Sequence, residues 1–177
     1  KLGMRGAGGL YEVVYDNVRV PAAALLGPLD GGWRVIGATL ERARLAQASY
    51  CIGAAQRTLD DAVAIVNDRL HEHDDTSTAI SLLVDRQIEV DAARLLVYRV
   101  ASLIDANIAC AREASIANLQ ATEALLKTTE DAMRIVGTRA CTDECAFERT
   151  LRDARLFVIG DGTSQIQRNL IARTMGL

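Results

Sequence analysis

Apolar residues recur every three to four positions over most of this chain, and that spacing predicts helices. Trp33, Ile36, Leu40 and Ala43 fall on one face, and Leu59, Ala62, Val63, Val66 and Leu70 continue the rhythm. One long helix over about residues 30–70 accounts for both sets, with Gly53 as a point of close packing. A polar connection at 71–78 follows. Ile80, Val84, Ile88, Ala92, Leu95 and Leu103 define the expected inward face of a second helix over about 77–108. Leu119, Thr122, Leu126, Thr129, Met133 and Val136 do the same for a third over about 112–137, where Gly137 is a natural C-terminal stop. A short helix over about 142–154 leads into Leu156-Phe157-Val158-Ile159. The last helix, about 163–175, starts at Thr163 or Ser164 as its cap. Near the N-terminus the period shortens. Residues 10–20, rich in Val and Tyr and stopped by Pro21, read as a strand, and Lys1–Gly6 as a second. Two strands are marginal without a sheet, so the chain, which opens on Lys, reads as a fragment of something longer. The expected fold class is all-α: an antiparallel up-and-down four-helix bundle over residues 29–177, with one or two short N-terminal β-strands.

Composition supports helices. Half of the 177 residues are hydrophobic, 4% are aromatic and two are Pro. The net charge of -3 is spread over interspersed acids and bases, which argues against a nucleic-acid partner. No apolar run approaches the roughly 18 residues of a membrane span, and no signal peptide is visible. Cys51, Cys110, Cys141 and Cys145 read as small apolar fillers in a reducing compartment, so the expected location is cytoplasmic. Cys141 and Cys145 alone fall short of the four ligands of a structural zinc site, and His71 and His73 read as a solvated turn, so no metal is expected.

The candidate chemistry lies near the C-terminus. Glu148-Arg149-Thr150-Leu151-Arg152-Asp153-Ala154-Arg155 is followed by Asp161-Gly162-Thr163-Ser164-Gln165-Ile166-Gln167-Arg168. Gly160 and Gly162 flank Asp161, as a tight corner that presents a carboxylate would require. The competing reading makes Asp161 a cap for the last helix.

These residues resemble the C-terminal signature of the acyl-CoA dehydrogenases. Lys1-x-Gly3-x-Arg5-Gly6, Val14-Tyr15-Asp16-Asn17-Val18-Arg19-Val20-Pro21, Gly32-Trp33-Arg34 and Gly53-x-x-Gln56 match the family in order and spacing. The resemblance implies that residues 1–28 end a middle β domain and that 29–177 form the C-terminal helical domain. It implies an FAD-dependent enzyme of fatty acid or lipid metabolism that oxidises an acyl-CoA or acyl-carrier thioester between Cα and Cβ. Such a protein would be an oligomer of dehydrogenase subunits and would pass electrons to an acceptor. A carboxylate removes the α proton, and the β hydrogen leaves as hydride to the flavin. By the same resemblance Asp161 stands at the base, where most members carry Glu, and an unadjusted shortfall of roughly 1 Å costs about a hundredfold in rate. Glu41 corresponds to a position near the CoA moiety and Arg44 to an Arg near the active-site carboxylate, against the alternative of an ordinary helix charge pair. Thr163 and Gln165 correspond to FAD-binding residues, Arg69 to the Arg that reaches the FAD of a neighbouring subunit, and Gly137 to the one surviving glycine of Gln-x-x-Gly-Gly.

This chain departs from the pattern at several points. Arg134-Ile135-Val136-Gly137-Thr138 replaces Gln-x-x-Gly-Gly, Glu72-His73 replaces the Phe-Gly after the flavin Arg, and Gly160 replaces a frequent Tyr. Two further readings therefore stay open: a non-catalytic subunit of a heteromeric dehydrogenase serving assembly, and a bundle without activity. Because the family's flavin sits between two domains, the 177 residues alone are expected to bind FAD weakly or not at all.

Overall fold

The computed structural model describes residues 11–71 and 77–177. Five α-helices account for most of them: α1 (Gly32–His71), α2 (Ser77–Asp105), α3 (Ala111–Val136), α4 (Phe147–Phe157) and α5 (Ser164–Thr174). A 3-10 turn, Gly137–Cys141, follows α3.

Side-chain ties give the directions. Glu41 meets Cys110 and Arg44 meets Asn118, so α1 and α3 run parallel. Arg86 meets Asp131 and Lys127 meets Glu89, so α2 runs against α3. Arg155 meets Glu130 and Arg168 meets Glu123, so α4 and α5 together descend along α3. The topology is up-down-up-down, as expected, and the fourth position is filled by two short helices broken between Phe157 and Ser164. α3 is the centre and packs on all four other helices.

Small residues let α1 and α3 approach closely. Ala48, Cys51, Ala55 and Ala62 on α1, and Ala114, Ala117 and Ala121 on α3, are all buried. Leu59 and Leu125 fill the larger gaps, and truncating either to Ala costs about 2–5 kcal/mol. α3 also buries Ser115, Asn118, Thr122, Thr128 and Thr129. Ser115 and Thr129 donate back to carbonyls four residues earlier, which satisfies the hydroxyls locally.

Several sequence expectations need correction. Among the described residues there is no strand: residues 11–20 carry no regular structure and are exposed. A strand requires a neighbour for its ladder, and among the described residues none lies beside this segment. The expected strand at residues 1–6 and the polar connection at 72–76 lie outside the described residues. Trp33 is 80% exposed and Ile36 53%, not inward. The reason is register: α3 begins at Ala111, level with Glu41, so the first turns of α1 project beyond their packing partner. On α2 the inward face is the opposite one. Leu83, Val90, Ala93, Val97 and Val100 are buried, whereas Ile80, Val84, Ile88, Ala92 and Leu95 face outward. α2 carries two apolar stripes, and polar ties choose between them. Gln56 and Gln87 exchange hydrogen bonds at 3.1 and 3.3 Å, Arg94 donates to Gln56, and Arg86 pairs with Asp131. Val63 is also exposed. Of the four free cysteines, Cys51 and Cys110 are buried fillers, Cys141 is exposed and Cys145 is half-buried.

Candidate functional site at the break in the fourth helix

α4 ends because its last carbonyls are closed off locally. The N–H groups of Ile159 and Gly160 both bond the Leu156 carbonyl, at 2.9 and 2.8 Å. The backbone then turns left-handed at Asp161 (φ 53°) and Gly162 (φ 103°). Gly162 is required twice over. Its φ disfavours a side chain, and a Cβ there would lie 2.9 Å from Gln167 Nε2. α5 restarts at Ser164, with the Thr163 hydroxyl oxygen accepting from the Ile166 N–H at 3.3 Å. Thr163 is thus the cap, and Asp161 is the corner residue rather than the cap.

Gln167 holds the corner from beneath. Its side chain is fully buried, and Nε2 donates to the carbonyls of Asp161 and Gly162, each at 3.1 Å. Gln47, on α1, donates to the Phe157 carbonyl at 2.6 Å and ties the end of α4 to the first helix. Neither glutamine was singled out from the sequence. The turn around Gln167, Gln165-Ile166-Gln167-Arg168-Asn169, is mostly polar, so nothing in the pattern marked Gln167 as inward.

One turn before Gln47 stands Arg44, 7% exposed. Burial pushes its guanidinium pKa down, while the charges of Asp161 and then Glu41 push it up. Its Nε has no hydrogen-bond partner. Asp161 itself is exposed at the mouth of the corner. Glu41 is half-buried and accepts a hydrogen bond from the buried Cys110 thiol, at 3.6 Å. Burial, and then the Glu41 charge, raise the pKa of that thiol. The charge-pair reading of Glu41 and Arg44 is not what forms: Glu41 engages Cys110 and Arg44 stays unpaired at Nε. A buried cation with an open donor, between two carboxylates, is arranged to hold an anion or to orient an acid.

A cleft of about 410 Å3 opens beside the start of α5. Thr163, Ser164 and Gln165 line it with Lys127, Arg155 and Arg168. Arg155 and Arg168 pair with Glu130 and Glu123 across it. Its helix N-terminus and the Thr163 hydroxyl can meet an anion, while Lys127, Arg155 and Arg168 each already face a carboxylate. Gly137 ends α3 at φ 75°, as a glycine stop should, and an added Cβ would meet nothing within 4 Å. It lies about 28 Å further along α3 than Asn118. Arg69 lies on α1, about 37 Å beyond Arg44, and its side chain is outside the described residues. The structure therefore brings Glu41, Arg44, Asp161, Thr163 and Gln165 to one region and leaves Arg69 and Gly137 at the other end of the bundle. A larger cavity of about 820 Å3, lined by Tyr50, Cys141, Cys145, Glu148, Arg149 and Arg152, includes none of the expected site residues. Among the described residues no helix is long and apolar enough to cross a membrane.

Comparison with known proteins places this architecture. The family model described as "Acyl-CoA dehydrogenase, C-terminal domain" matches residues 30–176. The Bacillus subtilis protein named "Probable acyl-CoA dehydrogenase YngJ" is 37% identical over 178 residues, covering 99% of this chain and 47% of its own length. The bovine mitochondrial short-chain specific acyl-CoA dehydrogenase is 35% identical, with 97% of this chain and 42% of that protein covered. Butyryl-CoA dehydrogenase from Megasphaera elsdenii superposes with a TM-score of 0.88 at 27% identity, covering 93% of this chain and 44% of that one. The structure of a glutaryl-coenzyme A dehydrogenase with glutaryl-CoA gives 0.84 at 31%, covering 91% and 42%. The chain spans about half the length of the curated relatives it matches. This chain belongs to the acyl-CoA dehydrogenase family, in which it corresponds to the C-terminal helical domain.

Proposed function

We propose that this chain supplies the helical half of an FAD-dependent dehydrogenase of acyl thioesters, with Asp161 as the base. The observation that carries the reading is Arg44: a buried guanidinium with an open Nε, electrostatically coupled to a carboxylate on a strained corner and to a second carboxylate on its own helix. A base must be held within a fraction of an ångström of its proton. The two Gln167 bonds and the Gln47 bond hold the corner backbone in place.

In this reading the Asp161 carboxylate takes the α proton of the thioester. The positive charge of the buried Arg44 acts on that carboxylate across the corner. Glu41, fixed by Cys110, lies along the path of the acyl carrier. Thr163 keeps its O–H hydrogen to donate, because its oxygen already accepts from Ile166. With Gln165 it would hold the FAD, and bound flavin supplies the acceptor for the β hydride. Gly137 and Arg69, at the far end of the bundle, are too distant to serve the same flavin and would reach one held by a neighbouring subunit. Residues 1–28 would belong to the β domain that covers the corner and desolvates Asp161, and the fragment alone would bind FAD weakly. An electron acceptor would reoxidise the enzyme, and the location would be cytoplasmic. A relative named as a subunit of a caffeyl-CoA reductase–Etf complex, 33% identical to this chain, is consistent with that electron transfer.

The exposure of Asp161 favours keeping one alternative, a non-catalytic subunit of a heteromeric dehydrogenase. The visible spectrum of the protein with its β domain separates the two readings. A flavin band bleached by an acyl-CoA, and not bleached after Asp161→Ala, supports catalysis. A flavin-free chain that co-purifies with a second dehydrogenase subunit supports assembly.

A further inference from the structure

The cavity of about 820 Å3, where α1, α3 and α4 meet the Gly137–Cys141 turn, takes no part in the flavin reading. It holds the two cysteines that are not buried: Cys141 is exposed, Cys145 is half-buried, and both line this one space. Cys51 and Cys110 are fully buried and out of reach of a reagent. The chain between the two lining thiols is compact. The Thr142 hydroxyl donates to the Arg139 carbonyl at 2.8 Å, and its oxygen accepts from the Glu144 N–H at 3.4 Å. The Arg139 and Glu144 side chains pair at 3.5 Å across the same turn. Only three residues separate the cysteines, and the turn already doubles back, so bringing them together costs little chain entropy. The cavity also presents the exposed Asp143 and the exposed Arg149, and Arg149 has no ion-pair partner among the described residues.

We propose that Cys141 and Cys145 form a reversible dithiol–disulfide site whose co-reactant is a small peptide disulfide of the glutathione type. Cys141, the exposed thiol, reacts first. Its thiolate attacks one sulfur of the small disulfide, that S–S bond breaks, and one thiol leaves with the proton that Cys141 gave up. Cys145 Sγ then attacks Cys141 Sγ in the mixed disulfide and expels the second thiol, which takes the proton of Cys145. Two cysteine thiols are oxidised to one disulfide and the small disulfide is reduced to two thiols, so no further oxidant is needed. An excess of small thiol runs the exchange backward. Arg149 and Asp143 indicate the class of reagent, because a peptide disulfide carries carboxylates for the guanidinium and ammonium groups for the acid. A pair of this kind suits a reducing compartment, where protein disulfides are transient and redox-sensing. The site goes beyond the flavin reading and does not depend on it, since none of its residues serves there.

The test treats the intact protein, β domain included, with oxidised glutathione under native conditions, followed by alkylation, trypsin and mass spectrometry. Cleavage after Arg139 and Arg149 releases residues 140–149, which contain Cys141 and Cys145 and no other cysteine. In the wild type this peptide should emerge unalkylated, lighter than its reduced form by two hydrogen atoms and free of glutathione, and dithiothreitol should restore it. Cys145→Ser should stop at the mixed disulfide and keep one glutathione on Cys141. Cys141→Ser should react about tenfold more slowly, at the half-buried thiol. Arg149→Ala, whose peptide extends to Arg152, should react with oxidised glutathione about threefold more slowly at low salt. Its rate with the uncharged hydroxyethyl disulfide should match wild type. Circular dichroism should show the same helix content in every variant. Thiols left unmodified, a wild-type peptide that keeps its glutathione, or a disulfide joining two chains would overturn the pair. Wild-type rates with both reagents in Arg149→Ala would overturn the assignment of a peptide disulfide.

Discussion

Consider the corner between α4 and α5 beside the outer face of α2. At the corner nearly every backbone group is accounted for: two glutamines reach three carbonyls, a glycine fits beneath Gln167, and a threonine caps the next helix. The buried groups left without a partner there are polar ones, Nε of Arg44 and Oε1 of Gln167. On α2 the backbone is an unbroken helix, and what is left unsatisfied is apolar surface. The two deficits differ in kind. An open donor in a buried guanidinium asks for one ligand at one angle, whereas an apolar stripe asks for area and is indifferent to direction. Chemistry is expected at the first and assembly at the second.

The largest expected effect tests the corner as a site. In the flavin-loaded protein with its β domain, Asp161→Ala should lower turnover of an acyl-CoA by about 10²- to 10⁴-fold, read by flavin reduction in stopped flow. A variant with wild-type turnover would reduce Asp161 to a turn residue. Next comes the scaffold. Gln167→Leu removes the donor to two carbonyls and should destabilise the chain by about 1–3 kcal/mol in urea unfolding. Gly162→Ala places a Cβ against Gln167 and strains a left-handed residue, at a cost of about 1–3 kcal/mol. If both melt like wild type, the corner is not the rigid element described. On α2, by contrast, Ile88→Glu should change monomer stability by no more than about 0.5 kcal/mol, because the side chain touches little.

A further effect is in pH and belongs to the core shared by both regions. Burial raises the thiol pKa values of Cys51 and Cys110 above their ordinary value. The unfolded chain therefore releases these protons first. The stability they contribute is complete below about pH 8.5 and is lost as pH rises above it. Unfolding midpoints measured between pH 7 and 10 should fall, and Cys51→Ala should make the decline shallower.

Much of this was readable from residues alone. The helices, their order, the stop at Gly137 and the cap at Thr163 follow from local rules: period, glycine and side-chain oxygens act within a few residues of where they stand. The motif around Asp161 also located the corner, because glycines on either side of an acid mark a turn by themselves. Tertiary structure decided which face of each helix is inside. α2 has two apolar stripes, and only contacts with α1 and α3, through Gln56, Gln87, Arg86 and Asp131, select the inner one. It also decided that the start of α1 overhangs α3, and that a threonine-lined helix is the centre of the core. It decided that Arg44 is buried with an open Nε while Asp161 faces solvent. Burial and pairing belong to two elements at once, and a periodic pattern on one helix carries no information about where its neighbour begins.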